Sequence, residues 1–126
     1  FYLFLFSFLG AMYQAWVTDR VAYMLQGKGD VFQTFQALTL VMAASSLLRV
    51  PLAVITPILP VFALIYLTIL LNIHQFVMTA FAVGRAHRMG WFLAAGVVIL
   101  SGGVAGVTGG LALFVLNLLM TALLGV

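Results

Sequence analysis

His74 is the only ionisable side chain well inside an apolar segment of this chain, and Asn72 and Gln75 flank it. Ionisable residues within membrane spans are functional candidates by default. A neutral imidazole readily ligates metals, so His74 is a candidate axial ligand for haem or a bacteriochlorophyll-type pigment. A bis-histidine haem needs a second histidine at matching depth, but His87 belongs to a polar loop. We therefore favour the alternative, in which His74 bonds to another helix or lies near the lipid headgroups.

The scarcity of acidic residues and the absence of cysteine exclude most reaction chemistry. The chain has two acids, Asp19 and Asp30, no glutamate and no cysteine. Paired carboxylates for hydrolysis, metal binding or proton pumping are therefore missing, as are thiolate nucleophiles. We predict no catalytic residues, no metal site and no enzyme activity.

The basic residues predict contacts with lipid rather than with nucleic acid. The net charge of +3 is too small and too scattered for binding nucleic acid. Arg49 is expected to end a helix by reaching the headgroups, and Arg85 and Arg88 form a compact basic loop. All three are candidate residues for anchoring to the membrane or binding lipid phosphates. The run Gly27-Lys28-Gly29-Asp30 lacks the spacing of a phosphate-binding loop and is interpreted as an ordinary loop.

Small residues mark surfaces for close helix packing. Gly102, Gly106 and Gly110 are four positions apart, which gives two overlapping GxxxG patterns. Ala44 and Ser45 belong to a second small-residue patch. Both patterns predict helix association, within the chain or with other membrane subunits, and neither implies chemistry.

These residues must be positioned by membrane-spanning helices. Hydrophobic residues make up 66% of the chain and charged residues 6%, with a mean hydropathy of +1.30. Such a composition cannot cover a water-soluble domain. We predict an all-α, polytopic transmembrane bundle that forms one domain over residues 1–126, with the first segment acting as a membrane anchor rather than a cleaved signal.

The number of spans depends on the uncharged C-terminal stretch. One helix over residues 91–126 would be about 54 Å long, against a hydrocarbon core of about 30 Å. We therefore expect a hairpin at the glycine-rich residues 101–110, which makes five helices, with four as the fallback. The expected spans are residues 1–17, 32–50, 58–84, 91–106 and 110–126.

The helix boundaries and the orientation in the membrane are predicted from Asp30, Pro51 and the charged loops. Asp30 is placed to cap the second helix, and Pro51 is expected to stop it. The loops 18–31 and 85–90 then fall on the same side and carry most of the positive charge. By the positive-inside rule both are predicted to be cytoplasmic, in a bacterial inner membrane.

The order of these segments resembles bacterial members of the Yip family, named for eukaryotic Rab-interacting membrane proteins. The similarity covers about residues 20–100. It rests on residues 24–32 (MLQGKGDVF), which resemble a Leu-x-Gly-Lys/Arg-Gly-x-Phe motif, on residues 34–38 (TFQAL), on the turn at 57–60 and on the loop 82–90. The resemblance implies a compact five-helix membrane domain with a non-enzymatic, membrane-organising or partner-binding role.

Three functions remain open from the sequence. The first is a non-catalytic Yip-like scaffold or accessory subunit that acts through helix and lipid contacts, with no cofactor. The second is a subunit of an energy-converting complex, in which His74 ligates haem or bacteriochlorophyll. The third is a small channel or transporter, for which Asn72, His74, Gln75 and Asn117 offer few polar residues along a path.

Overall fold

Four α-helices account for nearly the whole chain in the computed structural model, which describes residues 1–125. They are α1 (Tyr2–Met24), α2 (Val31–Ile55), α3 (Val61–His87) and α4 (Trp91–Leu124), with a short 3-10 helix at Thr56–Ile58 between α2 and α3. Each helix packs against its neighbours in the chain, and α4 closes the ring against α1. The all-α bundle is confirmed, and its helix count is the four-helix fallback.

The predicted hairpin at residues 101–110 is wrong, because α4 continues through all of its glycines. A turn there would leave backbone N–H and C=O groups without partners in hydrocarbon, whereas a continuous helix pairs them internally. Glycine costs a helix only about 1 kcal/mol relative to alanine. The separate spans 91–106 and 110–126 are therefore one helix, and Val126 lies outside the described residues.

The predicted stop at Pro51 is also wrong, since α2 runs through this proline to Ile55. The N-terminal end of α2 follows the prediction: Asp30 is its N-cap and accepts a hydrogen bond from the Gln33 N–H at 2.7 Å. The first helix also differs from the expected span 1–17, because α1 passes the charged residues Asp19 and Arg20.

Three of the helices are long and apolar enough to cross a membrane. These segments are Val31–Ile58, Val61–His87 and Trp91–Leu124. The helix α1 is not among them, and it carries Gln14, Asp19 and Arg20 in its C-terminal half. At about 1.5 Å per residue α4 is about 51 Å long, so it must tilt or extend beyond a hydrocarbon core of about 30 Å.

The packed core occupies one half of the bundle. The buried residues of the described chain lie within residues 15–22, 34–45, 80–87 and 94–101. This half ends at the two charged loops, α1–α2 and α3–α4. The other half, toward the α2–α3 turn, contains none of these buried residues, so its helices do not form a closed core of their own.

Candidate functional site

The α1–α2 loop is fastened to the end of α3 by backbone hydrogen bonds. The Gly27 N–H donates to the Ala22 carbonyl at 2.8 Å, which folds the loop back on α1. The Lys28 N–H donates to the His87 carbonyl at 2.9 Å. The two charged loops therefore meet at one end of the bundle, as the alternation of helix directions predicted.

His87 is the centre of this contact and is 1% exposed. Its Nδ1 accepts a hydrogen bond from the Gly29 N–H at 3.2 Å, so Nδ1 carries no proton. The proton of the neutral ring is then on Nε2, which donates to the Thr34 hydroxyl at 2.7 Å. That hydroxyl donates to the Asp30 carbonyl at 2.9 Å. The hydrogen bonds thus form one directional chain from the loop through His87 to α2.

Asp19 adds a buried carboxylate to the same place. Its Oδ1 lies 3.8 Å from the His87 Nε2, and it has no hydrogen-bond partner within the described chain. Asp19 is 8% exposed. Residues Asp19, Gly29, Asp30, Thr34 and His87 are called the loop cluster below, and together they join α1, α2 and α3.

The loop glycines leave no room for a side chain against His87. A Cβ at Gly27 would lie 3.0 Å from the His87 Nδ1 and 2.9 Å from the Ala22 carbonyl oxygen. A Cβ at Gly29 would lie 2.8 Å from the same Nδ1 and would overlap the Ala86 carbonyl oxygen. Real Cβ atoms essentially never come within 3.0 Å of a heavy atom of a non-neighbouring residue. The Gly-Lys-Gly spacing is therefore a packing requirement for the imidazole.

The hydrogen-bond directions in the loop cluster do not suit nucleophilic catalysis. An activated hydroxyl gives its proton to a histidine nitrogen, which a carboxylate orients from the far side of the ring. Here Thr34 gives its proton to a backbone carbonyl, and it is 0% exposed. The carboxylate of Asp19 lies on the same ring nitrogen as the hydroxyl. The arrangement fastens three helices together rather than preparing Thr34 for attack.

The predicted lipid-contact residues Arg85 and Arg88 lie at this same end of the bundle. They line a groove of about 740 Å³ between α2 and α3, together with Gln33 and Gln36. Further along the groove the lining becomes apolar, with Leu40, Ala44, Met78 and Phe81. The predicted anchor residues therefore stand at the mouth of a groove with apolar walls.

Arg49 and the residues around His74 lie away from the loop cluster. The Arg49 guanidinium donates to the Asn72 Oδ1 at 3.2 Å and to the Gln75 Oε1 at 2.8 Å. Arg49 therefore contacts α3 instead of marking a helix end. His74 is exposed on the outside of α3, and within the described residues its ring has no hydrogen bond. The ring is accessible to a group bound from outside, and its role as a haem or pigment ligand stays a prediction.

The small residues singled out in the sequence divide between the inside and the outside. Ser45 is buried, whereas Ala44 lines the α2–α3 groove. Gly102, Gly106 and Gly110 are exposed, and apart from the adjacent residues and nearby backbone of α4 no described atom lies within 4 Å of a Cβ placed on any of them. Gly102 lines a cavity among the four helices, so the part of the pattern that is open to the outside of the bundle is Gly106-x-x-x-Gly110.

Sequence reasoning missed the roles of Asp19, Thr34 and His87. The sequence presents each as an ordinary polar residue near a helix end, and it places His87 in a polar loop. A signal was nevertheless present. The two loops expected at the same end together carry an acid, a histidine and the two glycines that flank Lys28. A loop that only anchors the chain to lipid headgroups does not need these residues.

No family model, curated protein or solved structure matches this chain in the comparisons with known proteins. The described chain is a four-helix bundle that the loop cluster joins at one end, and three of its helices are long and apolar enough to cross a membrane. The resemblance to the Yip family stays a prediction.

Proposed function

We propose that this chain is a non-catalytic integral membrane protein that acts as a scaffold or accessory subunit, the role its resemblance to the Yip family implies. The bilayer is a bacterial inner membrane, and the end with the two charged loops faces the cytoplasm. This end holds four of the five basic residues, Arg20, Lys28, Arg85 and Arg88. The positive-inside rule supports this orientation.

The observation that carries the proposal is the contrast between the two halves of the bundle. The loop half has a buried core and the loop cluster, whereas the half toward the α2–α3 turn has no buried residue in the described chain. Without a core, the second half offers apolar helix faces to its surroundings. A partner that packs against these faces would supply the buried core that this half of the bundle lacks.

The outward glycines of α4 support the same role. At 100° per residue, Gly110 lies opposite the buried Ser101, and Gly106 lies about 140° from it. Small residues let helix backbones approach closely, and that approach drives much of helix association in lipid. The GxxxG face of α4 is therefore suited to another transmembrane helix.

Extraction from native membranes into lipid particles tests the proposal. We expect the wild-type protein to run in a complex heavier than the single chain. The double substitution Gly106→Leu and Gly110→Leu should release it, because the added side chains separate the backbones. The control Val107→Phe enlarges a neighbouring exposed position off the glycine row. A wild-type protein that runs as a lone monomer would contradict the proposal, as would equal effects of glycine and control substitutions.

Lipid contact at the α2–α3 groove is the second part of the proposal. Arg85 and Arg88 would bind the phosphate of an anionic lipid, and the apolar groove walls would hold an acyl chain. Native mass spectrometry should find phosphatidylglycerol retained over phosphatidylcholine. Arg85→Gln with Arg88→Gln should abolish the preference, and Arg20→Gln, another exposed arginine near this end, should keep it. A preference that survives the double substitution would contradict this assignment.

A further inference from the structure

The guanidinium of Arg49 lies at the middle of the bundle. Its two partners, Asn72 and Gln75, flank the midpoint of α3, which runs from Val61 to His87. At about 1.5 Å per residue, each partner is at least about 16 Å from either end of α3. Arg49 itself is only six residues from Ile55, where α2 ends. Its side chain therefore reaches the middle of α3 instead of the nearer end of its own helix.

The positive charge of Arg49 has no counter-charge nearby within residues 1–125. Asp19 and Asp30, the two side-chain carboxylates of the sequence, belong to the loop cluster at one end of the bundle. Asp30 precedes α2, so Arg49 is about 28 Å further along that helix. The amide oxygens of Asn72 and Gln75 orient the guanidinium but carry no charge. An arginine inside a membrane span is costly, and such residues usually pair with an anion or mark a ligand path.

Two cavities converge on these side chains. One, of about 260 Å³, lies between α2 and α3 and is lined by Arg49, Thr56, Thr68 and Asn72, with apolar residues between them. The other, of about 580 Å³, lies among all four helices. Asn72 lines both. The larger cavity has Gln75 at its wall beside apolar residues such as Phe76 and Val98, and its volume is in the range of small-molecule sites.

We propose that Arg49, Asn72 and Gln75 form an intramembrane binding site for an amphiphile with a single carboxylate, a molecule of the fatty-acid type. One carboxylate balances one guanidinium, and the planar fork of arginine matches the two carboxylate oxygens. The amide N–H groups of Asn72 and Gln75 are further donors, and the apolar cavity walls accept the tail. A phosphate with two charges would leave one of them unbalanced.

This inference is independent of the proposed accessory role, and its test uses a defined probe. The protein is placed in phosphatidylcholine nanodiscs, and binding of radiolabelled dodecanoic acid is measured at equilibrium. We expect saturable binding of one molecule per chain, with no competition by 1-dodecanol, which has the same tail without a carboxylate. Arg49→Gln should weaken binding roughly tenfold or more, which corresponds to about 1.4 kcal/mol. The matched control Arg20→Gln removes an exposed arginine near the loop end and should leave the affinity unchanged.

Arg49→Lys keeps the positive charge without the fork, and we expect it to bind several-fold more weakly than the wild type. It also serves if Arg49→Gln fails to fold. The proposal is overturned if the wild-type protein shows no saturable binding, if 1-dodecanol competes equally, or if Arg20→Gln weakens binding as much as Arg49→Gln does. Displacement of dodecanoic acid by phosphatidic acid would assign the site to a lipid phosphate and would overturn it as well.

Discussion

Replacing Thr34 by valine removes the central hydroxyl of the loop cluster. The His87 Nε2–H then loses the acceptor that lies 2.7 Å away, at a position where His87 is 1% exposed. A buried donor without a partner costs about 1–3 kcal/mol. The Asp30 carbonyl also loses the hydroxyl donor, but it keeps the Thr34 backbone N–H at 3.0 Å, so this loss adds little. Since the Asp19 carboxylate at 3.8 Å can recover part of the loss, we expect a destabilisation of about 2 kcal/mol.

The free energy of unfolding is measured by titration with SDS in mild detergent micelles. Thr34→Ser keeps the hydroxyl and is the matched control, with an expected change below about 0.5 kcal/mol beyond the lost methyl group. Asp19→Ala combined with Thr34→Val should cost more than the sum of the single substitutions, because Asp19 is the replacement acceptor. Equal losses for the valine and serine variants would refute the hydrogen-bond chain. So would a loss below about 0.5 kcal/mol for valine.

The remaining predictions concern single side chains. Gly29→Ala should destabilise the bundle by about 2–4 kcal/mol because it separates the loop from His87. Gly103→Ala changes an exposed position with open space around it and should be neutral or stabilising by up to about 1 kcal/mol. SDS titration compares the two variants, and equal effects would refute the packing argument. Tyr13→Phe removes a hydrogen bond to α4 and should cost about 0.5–1.5 kcal/mol in the same assay; no loss would mean that this contact does not form. If His74 ligates haem or a pigment, the purified protein has a visible absorption band that His74→Ala abolishes; a missing or unchanged band contradicts that alternative.

Much of the fold could be predicted from the sequence, because lipid restricts what a chain can do. Long apolar segments must become helices when no water is present to pair their backbone groups. Asp30 was identified as a cap from its place before an apolar run, and the structure confirms it. The meeting of the two charged loops at one end followed from the alternation of helix direction.

The two errors in the helix boundaries have different origins. Pro51 was expected to stop α2 as it would in water, whereas the hairpin at 101–110 was expected because one helix over residues 91–126 is longer than a hydrocarbon core is thick. Pro51 and the glycines at 101–110 are helix breakers in water, since water pairs the backbone groups that a break exposes. In an apolar environment, breaking the helix costs more than keeping these residues in it. Both α2 and α4 therefore continue through the predicted breaks, and the length of α4 is accommodated by tilt or by extension beyond the hydrocarbon core.

The site was harder to predict than the fold. His87 follows Arg85 in a short polar run, and nothing in its spacing shows that it is buried. Its partners Asp19, Gly29 and Thr34 come from three other segments, so their convergence depends on tertiary packing. The pairing of Arg49 with Asn72 and Gln75 likewise depends on how α2 and α3 align, which hydropathy does not specify.

The central claim is that both charged loops meet at one membrane surface and that the α2–α3 turn lies at the other. The chain has no cysteine, so Lys28→Cys, Arg85→Cys and Ile58→Cys each introduce a single thiol at an exposed position. Labelling of oriented membrane vesicles with an impermeant maleimide should modify the thiols at 28 and 85 from the same side and the thiol at 58 from the opposite side. Labelling at 28 and 85 from opposite sides, or of all three from one side, would contradict the account.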